Sequence, residues 1–337
     1  MSANTVGTVQ RVARPTMKDV AALAGVGLKT VSRVVNGERH VSEATRIAVE
    51  RAIAQLNFQR NDAAANLRQG QSATIGLIVE DISEPVQASI ARAVEQVAME
   101  QDSLLLTASS SDDPERERQL THTLISRRVD GLIVIPSLFD HGYLQRELNT
   151  GLAVVFVDRP PLGVMTDAVL SDNRGGAYEG TRHLIENGHR RIAFIGDPED
   201  IYTGHERLQG YRGALLSAGL TYDERLVHLG RPNSERVETA LRACLALEGG
   251  PATALVTGNS LNTIATLRAP TYQHTDVAHV AFDDLELADL LRKPLTVVAQ
   301  APTKIGQTAA ERLFSRINGL ETGPAQTIYL PTHLLLR

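Results

Sequence analysis

The chain is poor in the residues that staple small secreted domains and in those that build aromatic surfaces. Of its 337 residues one is cysteine, none is tryptophan, and the aromatics together make up 4%. A single thiol, Cys244, excludes an intrachain disulfide; it falls in the helical pattern 235–247, where burial as a small hydrophobe is expected. No run of about 18 apolar residues is present, which excludes a membrane-spanning helix. The opening MSANTVGTVQRVARPT lacks the apolar core of a secretory signal, so a reducing cytoplasm is the expected compartment. The ten histidines show no HExxH or comparable spacing, so no metal and no cofactor are expected. No low-complexity segment interrupts the chain.

What is present is 42% hydrophobic residues over a length that exceeds one ordinary domain. The most informative stretch is TMKDVAALAGVGLKTVSRVVNG, residues 16–37. It predicts a helix over Met17–Ala24 with Thr16 as N-cap and Asp19 three residues on, a capping-box-like pair. Ala24-Gly25-Val26-Gly27 supplies a tight turn, and a second helix runs from Leu28 to Val35, stopped by Asn36-Gly37. Val20, Leu23 and Ala24 face inward from the first helix and Val31, Val34 and Val35 from the second. Leu28, Lys29, Thr30, Ser32 and Arg33 are left on the outer face, a short polar and basic surface suited to the DNA major groove. An ordinary helical hairpin with a solvated face is the bland alternative. A third helix follows Val41-Ser42-Glu43 to about Leu56, with Val49, Ile53 and Leu56 on one face. Residues 1–70 hold ten basic and five acidic side chains, a charge of +5; the whole chain carries −5, leaving −10 for the remainder. A phosphate-binding head on a body that repels DNA has this polarity.

From Ala73 onward the pattern alternates between apolar runs and helical periodicity. Strands are expected at 74–79, 103–108, 131–135 and 152–157, with helices at 86–101, 114–127 and 141–149 between them. A second set comprises helices 175–187, 206–218, 235–247, 260–268 and 303–318 and strands 191–196, 254–258, 277–282 and 296–300, ending in a strand pair near 327–336. The fold class is therefore α/β: after the head, two doubly wound lobes with parallel sheets covered on both faces. The chain crosses between lobes near Ser171-Asp172-Asn173 and returns near Gln300-Ala301-Pro302. Ligands of such sheets bind beyond the carboxyl ends of the strands, here in the cleft between lobes.

Over nearly its whole length the chain resembles the LacI/GalR family of bacterial transcription regulators. The head TMKDVAALAGVGLKTVSRVVNGERHVSEATR is the most specific part. AAANLRQG (63–70), TIGLIVED (74–81), VDRP (157–160), ENGHRRIAFIG (186–196), HERLQGYRGAL (205–215), FDD (282–284) and PLTVVAQ (294–300) support it. The resemblance implies a helix-turn-helix head, a hinge helix and a periplasmic-binding-protein-like core that dimerises. The expected boundaries are a flexible tail at 1–15, the DNA-binding domain at 16–61, the hinge and linker at 62–72 and the effector-binding core at 73–337. Within the core the first lobe comprises about 73–171 and 301–325, the second about 172–300 and 326–337.

The resemblance also implies roles. The family's base-reading positions fall on Leu28, Lys29 and Arg33. Arg33 can pair with a guanine edge, Lys29 can reach a guanine or a phosphate, and Leu28 can either meet a thymine methyl or pack within the head. Thr16, Thr30, Ser32, Asn36 and Arg60 are expected on the DNA backbone. Gly27 departs from the serine usual at the helix N-cap, and Gln59-Arg60-Asn61 from the usual Arg-Pro. Ala63-Ala64-Ala65 favours helix, yet eight residues are too few to hold one alone in water, so the hinge would fold as it binds. Leu67 sits at the family's minor-groove wedge. In the cleft, Arg207 and Asp283 match the family's effector contacts, and Asn259, Asp158, Arg159 and Gln300 are second candidates. Without tryptophan, stacking on a sugar would fall to Phe139, Tyr202 or Phe282. Ser260 stands where many members carry Asp, and the loop Ile82-Ser83-Glu84-Pro85-Val86 lacks the usual aromatics.

The expected function is that of a repressor, not an enzyme: a homodimer on a pseudo-palindromic operator in double-stranded DNA, modulated by a small, carbohydrate-like effector. A co-repressor-activated regulator of the same family is the alternative. A nucleotide-binding enzyme is a rival because Asp172-Asn173-Arg174-Gly175-Gly176 with Gly180 opens a helix, although it is neither GxGxxG nor a Walker motif. A solute-binding protein would share the core but has no use for residues 16–70.

Overall fold

The computed structural model describes residues 15–38, 40–58, 72–137, 140–286, 288–293 and 295–337. The expectations for the tail 1–14, Arg60, the hinge with Leu67, and Phe139 lie outside the described residues. Two compact units are present, Met1–Gly70 and Gln71–Arg337.

In the first unit α1 spans Met17–Ala24, α2 Leu28–Val35 and α3 Glu43–Leu56. The Thr16 N–H and hydroxyl both donate to the Asp19 carboxylate at 2.7 Å, which holds that carboxyl below its usual range. Gly25 ends α1 at φ 66°, a left-handed conformation that costs glycine nothing. Ser42 caps α3 by accepting from the Thr45 N–H at 3.3 Å. Val20, Val31, Val49 and Ala52 form the fully enclosed centre, with Met17, Ala21, Ala24, Val34, Val35, Ile53 and Leu56 packed around it. Leu23 is a correction: it is 46% exposed. The inward stripe of α1 follows the spacing 17, 20, 21, 24, and position 23 lies off it.

In the second unit one sheet contains β1 (Thr74–Val79), β2 (Leu104–Ser109), β3 (Gly131–Val134), β4 (Ala153–Val157), β5 (Asp167–Ser171) and β11 (Thr327–Leu330). Its order is β11-β5-β4-β3-β1-β2, and every pairing is parallel. The other sheet contains β6 (Ile192–Gly196), β7 (Val227–Leu229), β8 (Ala254–Thr257), β9 (Ala278–Phe282), β10 (Thr296–Ala299) and β12 (His333–Leu335). Its order is β12-β10-β9-β8-β6-β7, parallel except for antiparallel β12.

Strands β1, β3 and β4 read as unbroken apolar runs because both faces of their sheet are covered. On one face lie α4 (Pro85–Glu100) and α12 (Pro302–Ile317), on the other α5 (Pro114–Ser126) and the short α6 (Gln145–Asn149). In the second lobe α7 (Asn173–Glu186) and α8 (Tyr202–Ser217) cover one face. The other face is covered by α9 (Ser234–Leu245), α10 (Ser260–Arg268) and the short α11 (Pro270–Gln273). Cys244 is buried on α9, and burial pushes its thiol up to about 11.

Two expectations are corrected. The strands near 327–336 do not pair with each other: β11 joins the first lobe and β12 the second. The last crossing therefore falls at Pro331-Thr332, and 327–330 does not belong to the second lobe. Strand β5 was not foreseen. It is short, and it opens with a charged residue, Asp167, that pairs with Arg312 and Arg316 of α12.

Candidate functional site

Each unit offers one site. In the head, α2 turns Val31 fully inward and leaves Lys29 exposed, Leu28 45% exposed and Arg33 half-exposed. Leu28 is therefore not a core residue of the head, while Thr30 and Ser32 are partly buried beside it. Arg33 lies 3.6 Å from Glu38, a surface pair of little strength in water. The Asn36 side-chain amide donates to the Ser32 hydroxyl at 3.4 Å. Gly27 caps α2 in extended geometry at φ −70°, and a Cβ there would meet nothing within 4 Å. Its glycine is thus no steric necessity.

In the core, a cavity of about 190 Å³ opens between the lobes at the carboxyl ends of the strands. Each polar wall residue is delivered by a strand end or helix start. Glu80 follows β1 and Glu84 caps α4, accepting from the Gln87 N–H at 3.3 Å. Asp158 and Arg159 follow β4, Asp197 follows β6, Asn259 caps α10, Asp283 follows β9 and Gln300 follows β10. Asp158 and Asp283, which follow strands of different lobes, both adopt left-handed φ, 67° and 72°. Left-handed non-glycine residues are uncommon and gather at binding and catalytic sites.

Arg207 of α8 is 4% exposed. It donates to Asn173 Oδ1 at 2.8 Å and to the Gly258 carbonyl at 2.6 Å, lies 3.8 Å from Asp283, and stacks 3.9 Å over the Phe282 ring. Asp283 in turn accepts from Gln300 at 2.6 Å and from the Ser260 N–H at 3.2 Å. Arg159 donates to Glu80 at 2.7 Å and Asp112 at 2.8 Å. Asp112 also receives Arg231 of the opposite lobe at 2.6 Å. Asp197 accepts from Asn259 at 2.7 Å and Asn262 at 3.2 Å. Burial raises the carboxyls of Glu80, Asp158 and Asp197, and burial followed by the neighbouring Asp283 charge pushes Glu84 up to about 7.

Arg207, Asp283, Asn259, Asp158, Arg159 and Gln300 thus converge on one cavity. Tyr202 and Phe282 do not line it, which corrects their expected stacking role. Phe282 is 1% exposed, set in the apolar cluster of the second lobe with Arg207 across its face. Tyr202 packs against the apolar cluster beneath the first sheet. No aromatic ring lines the cavity among the described residues; Ile90, Ile135, Ile201 and Leu261 supply its apolar surface. Glu80, Glu84, Asp197 and Arg231 were not anticipated. Glu80 and Asp197 share with Asp158 and Asp283 a position directly after an apolar strand, a signal that could have found them.

The glycines opening α7 have a packing cause. A Cβ on Gly180 would lie 2.7 Å from Val298 and 2.9 Å from Val280, and one on Gly176 2.8 Å from Val298. Asp172 caps the helix through the Gly175 N–H at 2.8 Å. His189 meets the Thr253 hydroxyl at 3.0 Å, away from the cavity. No helix among the described residues is long and apolar enough to cross a membrane.

Residues 16–61 match the model for bacterial regulatory proteins of the lacI family, and residues 72–334 that for periplasmic binding proteins and the sugar-binding domain of the LacI family. The chain is 38% identical to the HTH-type transcriptional regulator CelR of Thermobifida fusca, covering 98% of this chain and 99% of the relative. A solved CelR–cellobiose complex superposes with a TM-score of 0.70 at 37% identity, over 96% of this chain and 99% of that one. The Lac repressor dimer bound to operator and an anti-inducer superposes with a TM-score of 0.82 at 26% identity, over 96% and 98%.

Proposed function

Because this chain belongs to the LacI family of bacterial regulatory proteins, we propose that its cleft residues read a small metabolite and its α2 residues read an operator. The protein is a ligand-responsive transcriptional repressor that binds DNA and takes a carbohydrate effector as a dimer. Its finer assignments follow from the chemistry of its own side chains. Arg33 and Lys29 read base edges, and the exposed Leu28 meets a thymine methyl. Thr16, Thr30, Ser32, Asn36 and Arg60 hold phosphates, and Leu67 enters the minor groove at the operator centre. Its work is regulation without catalysis, in the compartment that holds the chromosome.

The effector lies between Arg207, Asp283, Asp158, Arg159, Asn259 and Gln300. The observation that carries this reading is the convergence of six polar residues from both lobes on one cavity. A ligand bridging them closes the lobes and moves the point where the chain leaves the core. There the Ser72 and Thr74 N–H groups are tied to Asp130 at 2.7 and 3.3 Å. A coupling of about 1–3 kcal/mol then changes operator occupancy roughly 5–150-fold.

Selection of genomic fragments by the full-length protein tests the head. A pseudo-palindromic fragment is enriched over random duplex, and Lys29→Ala with Arg33→Ala removes the preference. Enrichment unchanged in that double variant would rule out base reading by α2.

A further inference from the structure

The least expected group in the cleft is Glu84. Pro85 starts α4, so Glu84 is fixed as its N-cap, with Oε2 accepting from the Gln87 N–H at 3.3 Å. Its Oε1 reaches across the cleft and accepts from the Ser260 hydroxyl of the second lobe at 2.9 Å. Ser260 is the position that departs from the acid common in the resembling family, and here its hydroxyl meets a carboxylate of the first lobe.

Among the described residues no cation pairs with that carboxylate. Arg207 is taken up by Asn173, Gly258 and Asp283, and the cleft's other two arginines are held by Glu80 and Asp112. Burial opposes the ionisation of Glu84 most, and the charges of Asp283 and Asp158, both of its own sign, oppose it further. Two buried polar atoms of the cleft wall, Arg159 Nε and Gln300 Oε1, have no hydrogen-bond partner. The first can only donate and the second can only accept. A hydroxyl serves both, because it accepts and donates. A phosphate or carboxylate on the ligand can satisfy the donor alone, and it would bring further negative charge against Glu84 and Asp283.

We propose that Glu84 is the charge-selecting residue of the cleft: it admits uncharged polyhydroxylated ligands and rejects their phosphorylated or carboxylated forms. The inference rests on the cleft being the effector site. Glu84→Gln keeps one oxygen to accept from the Gln87 N–H, turns the other into an amide N–H that the Ser260 hydroxyl can accept from, and removes the charge.

The test uses the full-length protein at pH 8, where Glu84 is ionised, and matched pairs of probes. These are glucose and glucose 6-phosphate, ribose and ribose 5-phosphate, fructose and fructose 1-phosphate, galactose and galactonate, with cellobiose as an uncharged disaccharide. Affinities are read by thermal shift and calorimetry. The account predicts that ligands are found among the uncharged members. Each charged counterpart binds at least a hundredfold more weakly, and Glu84→Gln narrows that gap tenfold or more while leaving the uncharged member within a fewfold. Three results would each overturn it: a charged member binding as tightly as its neutral partner, a gap unchanged in Glu84→Gln, or no binding by any uncharged member. A phosphorylated sugar that binds and shifts fragment affinity would sink the charge rule while leaving the regulator reading intact. The converse, DNA binding indifferent to a ligand that occupies the cleft, would sink the regulator reading alone.

Discussion

Replacing Arg207 with alanine removes more than a ligand contact. Its guanidinium satisfies Asn173 Oδ1 and the Gly258 carbonyl, faces Asp283 at 3.8 Å and covers the Phe282 ring. Each buried acceptor left unpaired costs about 1–3 kcal/mol, and a lost buried stack costs up to about 2. Asp283, 3% exposed, would lose its only close cation among the described residues. Deleting one member of a buried pair costs about 3–5 kcal/mol. These contributions overlap, so Arg207→Ala is expected to destabilise the core by about 3–5 kcal/mol in total. For a core of residues 71–337, at about 2 °C per kcal/mol, the melting temperature falls by roughly 6–10 °C. Urea unfolding followed by far-ultraviolet circular dichroism measures the loss directly, with an unchanged m-value if the denatured state is unaffected. A loss below about 1 kcal/mol would refute the reasoning, because it would mean that the buried partners find water or one another without the guanidinium. If the loss is as large as expected, effector tests on this variant must be run well below its transition.

Glu84 should also impose a pH dependence. Its carboxyl, near 4.5 unfolded and about 7 folded, takes up a proton on folding, so its contribution is fully present below about 4.5 and lost as pH rises through 7. Relative to Glu84→Gln, the wild type should therefore lose up to about 3 kcal/mol between pH 4.5 and 8, at 1.36 kcal/mol per unit; parallel stability curves for the two proteins would contradict this. Gly306 lets α12 approach α4, and an added Cβ would sit 2.5 Å from the Ile90 carbonyl and 2.8 Å from Ala93. Gly306→Ala should cost about 1–3 kcal/mol in urea unfolding, whereas no loss would show that the two helices can separate freely.

Much of this molecule is legible in its sequence because much of it is local. The boundaries of α1 and α2 follow from Thr16, Gly25 and Asn36, and the enclosed strands announce themselves as apolar runs. The misreadings are long-range. Strand β11 reads like a partner for β12 because the two are neighbours in sequence, yet it pairs with β5, 159 residues upstream, in the register Thr327 with Ala168 through Leu330 with Ser171. Phe282 was expected at the ligand, but the alternation along β9 turns it into the apolar cluster and sends only Asp283 to the cavity. The cleft contacts of Glu84, Asp112 and Arg231 carry no local signal. Each acquires its meaning from a residue of the other lobe, and no spacing within either segment specifies that encounter.

The central claim is that occupancy of the core cleft governs the grip of the head on DNA. Its most direct measure is the affinity of the full-length protein for its selected genomic fragment, titrated with and without a saturating cleft ligand, in wild type and in the Asp283→Asn variant. The account predicts a release of roughly 5–150-fold in the wild type and little or none in the variant, with the affinity of the ligand-free proteins alike. An affinity that stays the same while calorimetry shows the wild-type cleft filled would contradict it.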